Sequence, residues 1–179
     1  MNNRDTKEQV RMGRYMILAA WVVALILLSL FFNNLLERQH NPNQTINTSL
    51  TDKGVHEVVL KRNRLGHYVA RGAINGQPVN FLLDTGATVI SIPEKQANKL
   101  GLRRGYASKV NTANGIITTY ATRLDEVSIG KIRLSNVQAH INPHMKDHEI
   151  LLGMSFLKKL ELLQRGNTLT LRQPSQLRF

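Results

Sequence analysis

Asp84 ends an apolar run, Phe81-Leu82-Leu83, and is followed at once by Thr85-Gly86-Ala87-Thr88. A short apolar run that stops at turn residues reads as a strand. An ionised carboxylate at the tip of a buried strand costs free energy unless it is hydrogen-bonded. The next residues suit a turn that holds such an oxygen. Thr85 brings a hydroxyl, and Gly86, without a Cβ, lets its N–H approach the carboxylate. Asp84 is therefore the candidate acid–base group, with Thr85, Gly86 and Ala87 as the loop that supports it.

From Val55 onward, short β-type runs alternate with turn residues, the pattern of an all-β barrel or sandwich. Strands are expected at His56–Leu60, at His67–Ile74, which ends on an Asn75-Gly76 hairpin turn, and at Pro78–Leu83. Thr88–Ile92 resumes the sheet. A short helix from Pro93 to Leu100 follows, with Pro in its first turn and Gly101 as its stop. Val110–Ala113 and Ile116–Thr122 flank a second Asn-Gly turn, Asn114-Gly115. Further strands are expected at 127–129 and 132–141, with Gly130 between them. Ile150-Leu151-Leu152-Gly153 then repeats the pattern of an apolar strand ending in glycine, and strands at 157–163 and 168–171 flank Arg165-Gly166-Asn167.

The apolar lead-in followed by Asp84-Thr85-Gly86-Ala87-Thr88 resembles the active-site signature of aspartic proteases. A short chain with one copy of it is similar to the retropepsin-like branch. One such domain behind an N-terminal anchor further resembles a bacterial group of single-domain aspartic proteases. The resemblance covers roughly Val55 to Leu171, about two thirds of the chain. It implies an all-β, closed-barrel acid-protease fold with one or two short helices, acting as an aspartic endopeptidase on peptide or protein substrates without metal or other cofactor. It also implies roles for particular residues. Thr85 would bond to the partner's turn, while Gly86 and Ala87 would offer N–H groups to the carboxylate. Ala113, Asn114, Gly115 and Ile116 would form a flap over bound peptide. Leu152 and Gly153 would be the pseudo-symmetric mate of the catalytic strand.

The chemistry explains why one copy implies two chains. Peptide hydrolysis of this kind needs two carboxylates sharing one proton, since like charges that close cannot both ionise. Asp125, Asp147 and Asp52 do not precede Thr/Ser-Gly, so a homodimer would have to supply the second Asp84. Ala87 has no hydroxyl to give the ionised form a further hydrogen bond, which moves the expected working range towards neutral pH. A non-catalytic peptide-binding module of the same fold is the rival reading. A basic, envelope-tethered structural or interaction protein is another.

Ahead of the domain, residues 15–32 read YMILAAWVVALILLSLFF, eighteen residues with Ser29 the one clearly polar member. As a helix this spans about 27 Å, close to the hydrocarbon core of a bilayer. Arg4, Lys7, Arg11 and Arg14 precede it and only Arg38 lies close behind, which predicts residues 1–14 in the cytoplasm and the domain in the periplasm of a bacterial inner membrane. No small-x-small site follows, so an uncleaved anchor is expected rather than a signal peptide. Residues 33–54, rich in Asn, Thr and Gln, read as a flexible linker, with the domain at 55–173 and a tail at 174–179. Their sequons at Asn43 and Asn47 are assigned no function.

Composition removes other classes. With no cysteine, the chain forms neither a disulfide framework nor a Cys-ligated metal site. The net charge of +12 comes from 24 basic residues against 12 acidic ones, and it is scattered rather than gathered into a run. That distribution suits anionic surfaces or acidic partners and predicts no specific nucleic-acid partner. His140, His144 and His148 recur at four-residue spacing, but Pro143 sits among them, and no metal site is assigned.

Overall fold

The computed structural model describes residues 3–50, 54–112, 115–146 and 149–174, with side chains described from Met12 onward and not at Thr112. The chain divides into two units, Met1–Gln39 and His40–Phe179. The first is a helix, α1 (Asn3–His40). Within Met12–His40, an 18-residue window has a mean hydropathy of 2.6 and none of that window is buried, so the helix is long and apolar enough to cross a membrane. Trp21, Leu25 and Phe31 are among the large apolar side chains left exposed. An apolar helix exposed on every face fits lipid better than water.

The second unit is predominantly β. In chain order it contains β1 (Thr48–Leu50), β2 (His56–Lys61), β3 (Val69–Ile74), β4 (Gln77–Leu83), β5 (Ile90–Pro93) and α2 (Glu94–Lys99). There follow β6 (Ala107–Thr112), β7 (Gly115–Ile129), β8 (Ile132–Asn142), β9 (Ile150–Leu152), α3 (Met154–Leu157), β10 (Glu161–Arg165) and β11 (Thr168–Arg172). Among the described residues these strands form two sheets, ordered β1-β2-β11-β10 and β3-β4-β9-β5-β8-β7-β6. The larger sheet curls until β7 meets β3 again, Ala73 opposite Ser128 and Ile74 opposite Val127. The expected closed barrel is thus a curled sheet joined by a short contact rather than strictly closed. The two short helices agree with the sequence reading.

Local chemistry explains the joints. Asn75 and Gly76 both have positive φ, 49° and 79°, the requirement of a type I′ turn, which β-branched residues could not meet. In β4, Phe81 is fully buried between exposed Asn80 and half-buried Leu82. Phe81 joins Ile90, Ile92, Leu124, Ile141, Ile150 and Leu152 in the core. β7 runs unbroken through 15 residues, although its polar middle, Arg123 to Glu126, reads as an interruption in the sequence. Pairing with β8 keeps one register on both sides of Asp125, from Tyr120 opposite Ile141 to Ile129 opposite Ile132.

Within the expected flexible linker of residues 33–54, the described residues 33–48 are ordered by the fold. The helix continues to His40, and Asn41 and Asn43 are each only 5% exposed. The Asn43 amide donates to the carbonyls of Lys61 (2.9 Å) and Val69 (2.7 Å) and accepts from the Lys61 N–H (2.7 Å). It thereby satisfies backbone groups where β2 and β3 part into different sheets. Ile46 packs on the core, and Thr48 accepts from the Lys131 N–H at 3.1 Å. Polar composition implies hydration only when the backbone nearby has no need of the amide.

Candidate active site

β4 and β9 lie side by side and parallel, pairing Phe81 with Ile150, Leu82 with Leu151 and Leu83 with Leu152. The Asp84 N–H extends this ladder by one bond, to the Leu152 carbonyl at 3.2 Å. The chain then turns sharply. The Ala87 N–H closes the turn on the Asp84 carbonyl at 3.3 Å, and the Gly86 N–H donates to the Asp84 carboxylate Oδ1 at 2.8 Å. A Cβ on Gly86 would sit 3.2 Å from that oxygen, so glycine leaves the carboxylate unobstructed. Ala87 thus directs its N–H to the backbone of Asp84, not to its side chain. Asp84 is half-buried, while Thr85 and Gly86 are exposed, so within one chain the loop faces outward.

α3 fixes this loop from behind. Its first N–H groups, on Met154 and Ser155, donate to the carbonyls of Ala87 (2.8 Å) and Thr88 (3.0 Å). The Ser155 hydroxyl accepts from the Ile90 N–H (3.1 Å) and donates to the Gln138 carbonyl (2.8 Å). Gly153 makes the approach possible, since a Cβ there would lie 2.4 Å from the Val89 oxygen and 2.6 Å from the Ala87 oxygen. The structure therefore brings together Asp84, Thr85, Gly86, Ala87, Leu152 and Gly153. Ser155 escaped the sequence reading. Its only signal was a small hydroxyl residue just after the second apolar-Gly strand.

The hairpin of β6 and β7 pairs Thr112 with Gly115 and continues to Ala107 with Tyr120. Of the four residues expected to form a flap, Ala113 and Asn114 lie outside the described residues. Gly115 has a φ of 106°, and Ile116 is 72% exposed. His140 faces Thr119, whose hydroxyl lies 3.2 Å from Nδ1, and burial holds its pKa below the ordinary histidine value. His148 and Asp147 lie outside the described residues.

Residues 70–159 match the family described as "gag-polyprotein putative aspartyl protease". The fold matches the crystal structure of a retropepsin-like aspartic protease from Rickettsia conorii, at 30% identity and a TM-score of 0.59, over 72% of this chain and 95% of that one. The chain belongs to the retropepsin-like aspartic proteases. This retropepsin-like chain is also 38% identical over 130 residues to an uncharacterized protein from the cobV 5′ region of Sinorhizobium sp., covering 70% of this chain and 56% of the relative. It is 31% identical over 110 residues to the uncharacterized protein RP867 of Rickettsia prowazekii (strain Madrid E), covering 60% of this chain and 47% of the relative. It spans about half the length of these curated relatives. As a retropepsin-like chain it carries a single Asp-Thr-Gly.

Proposed function

We propose that this chain is a membrane-anchored aspartic endopeptidase whose active site is assembled from two copies of Asp84. The observation that carries the reading is the Asp84 turn, in which Gly86 donates to Oδ1 at 2.8 Å while the carboxylate remains partly open. A second, symmetry-related carboxylate would share one proton with it. The ionised member takes a proton from a water between them, that water attacks the scissile carbonyl, and the protonated member donates to the carbonyl oxygen. Thr85 links the two loops, and the β6–β7 hairpin covers an extended peptide. Residues 15–32 hold the protein in the bacterial inner membrane, with 1–14 in the cytoplasm and the domain in the periplasm.

The test uses the full chain in detergent with a diverse peptide library, wild type beside Asp84→Asn. Hydrolysis should fall by more than about 10³-fold in the variant. Adding excess Asp84→Asn chains to wild type should suppress the remaining activity by forming hybrids. Equal turnover by both proteins rules out the catalytic reading. Undiminished turnover per wild-type chain in the mixture rules out the shared site.

A further inference from the structure

The loop between β2 and β3 has a fixed shape, and Asn63, only 8% exposed, organises it. The Asn63 amide donates to the His40 carbonyl at 3.0 Å. Its Oδ1 accepts from the N–H groups of Leu65 (3.0 Å) and His67 (2.9 Å). The Gly66 N–H closes a turn on the Asn63 carbonyl at 3.1 Å, which leaves Arg64 and Leu65 at the two central positions. His40 is the last residue of α1, so this turn is hydrogen-bonded to the residue on which the helix ends.

The turn carries an apolar tip among cations. Leu65 is 70% exposed, and Lys61, Arg62, Arg64 and Arg71 are exposed as well. No acidic residue occurs between Glu57 and Asp84. Arg62 lies over the Tyr68 ring, 5.4 Å from its centroid, which limits how far its guanidinium can wander. Neither Lys61 nor Arg62 has a carboxylate partner among the described residues. Glu149 is engaged with His40. A leucine held in water beside cations suits the boundary of a bilayer, where its side chain meets acyl chains and the cations meet phosphates.

The reach is short. The apolar run ends at Phe32, and the helix continues to His40, a rise of about 12 Å. The headgroup layer occupies about 5–8 Å on each side of a bilayer. Its charge is felt roughly 8 Å farther at physiological salt. With residues 15–32 in the bilayer, a turn bonded to His40 starts within the field of the headgroups.

We propose that the β2–β3 turn is a membrane-docking surface. Leu65 enters the boundary between headgroups and acyl chains, while Lys61, Arg62 and Arg64 bind the phosphates of anionic phospholipids. The proposal rests on the membrane-anchor reading above and gives the domain a second, charge-dependent contact with the same bilayer.

Because the chain has no cysteine, Leu65→Cys gives one thiol for an environment-sensitive fluorophore. The full-length protein is reconstituted in nanodiscs of phosphatidylcholine, with or without phosphatidylglycerol. A blue shift should appear in the discs containing phosphatidylglycerol, be absent from phosphatidylcholine alone, and fade as salt is raised. Ser135→Cys, exposed on β8, should show no shift in either disc. Lys61→Gln with Arg64→Gln should lower the ratio of inserted to free probe about 25-fold, about fivefold for each cation removed. A shift of equal size in both lipids means that protein covers Leu65, and it overturns the proposal. So does a chain that stays on the discs without any shift, or an equal shift at Ser135→Cys. Chains that fail to stay on discs of either kind overturn the anchor reading and this proposal with it.

Discussion

Two parallel apolar strands, β4 and β9, enter glycine-bearing turns one beside the other, yet the two glycines serve different ends. At the end of β4, Gly86 is exposed and its nearest crowding atom is the Asp84 carboxylate it serves. At the end of β9, Gly153 is buried with two carbonyl oxygens where a side chain would go. The first turn presents a carboxyl group, and the second lets α3 close on the back of the first. Repetition in the sequence therefore marks a division of labour: one turn carries the carboxyl group, and the other holds that turn in place.

Breaking the second turn should cost the most. Gly153→Ala forces a Cβ onto the Val89 and Ala87 carbonyls, backbone atoms that cannot swing away. The domain should lose about 3 kcal/mol or more in urea unfolding. An unchanged midpoint would mean that α3 does not press on the loop. Ser155→Ala is gentler, removing the hydroxyl between Ile90 and Gln138. The expected loss is about 1–2 kcal/mol, because the Ile90 N–H is left without its partner. An equal loss in an Asp84→Asn background would show that the hydroxyl supports the loop independently of the charge.

The smallest effect concerns β8, whose Gln138 carbonyl accepts from the Ser155 hydroxyl. Burial depresses the pKa of His140 below its ordinary value of 6.5, so the folded state resists the proton that the unfolded chain accepts. The stability it contributes is complete above pH 6.5 and declines as pH falls through the lower folded value. His140→Gln should flatten the fall in urea midpoint between neutral pH and about pH 5. An unaltered slope assigns that pH dependence to other groups.

Much of the fold was legible because its signals are local. Asn75-Gly76 turns where two positive φ values are needed, and α2 ends at Gly101, whose φ is 66°. The Asp84 turn was legible for the same reason, since its hydrogen bond to Gly86 spans two residues. What escaped depends on distant partners. Ser155 gains its role from Ile90, 65 residues away, and Asn43 from Lys61 and Val69. The full length of β7 was hidden likewise, because β8 carries it through its charged stretch.

The place of Asn43 sets where a version of this protein without the N-terminal helix can begin. A fragment starting at residue 55 would leave the Lys61 amide and the Lys61 and Val69 carbonyls without their side-chain partner, and would remove the Ile46 side chain from the core. One starting at Asn41 keeps both, so trimming back to the compositional boundary removes a working part of the protein.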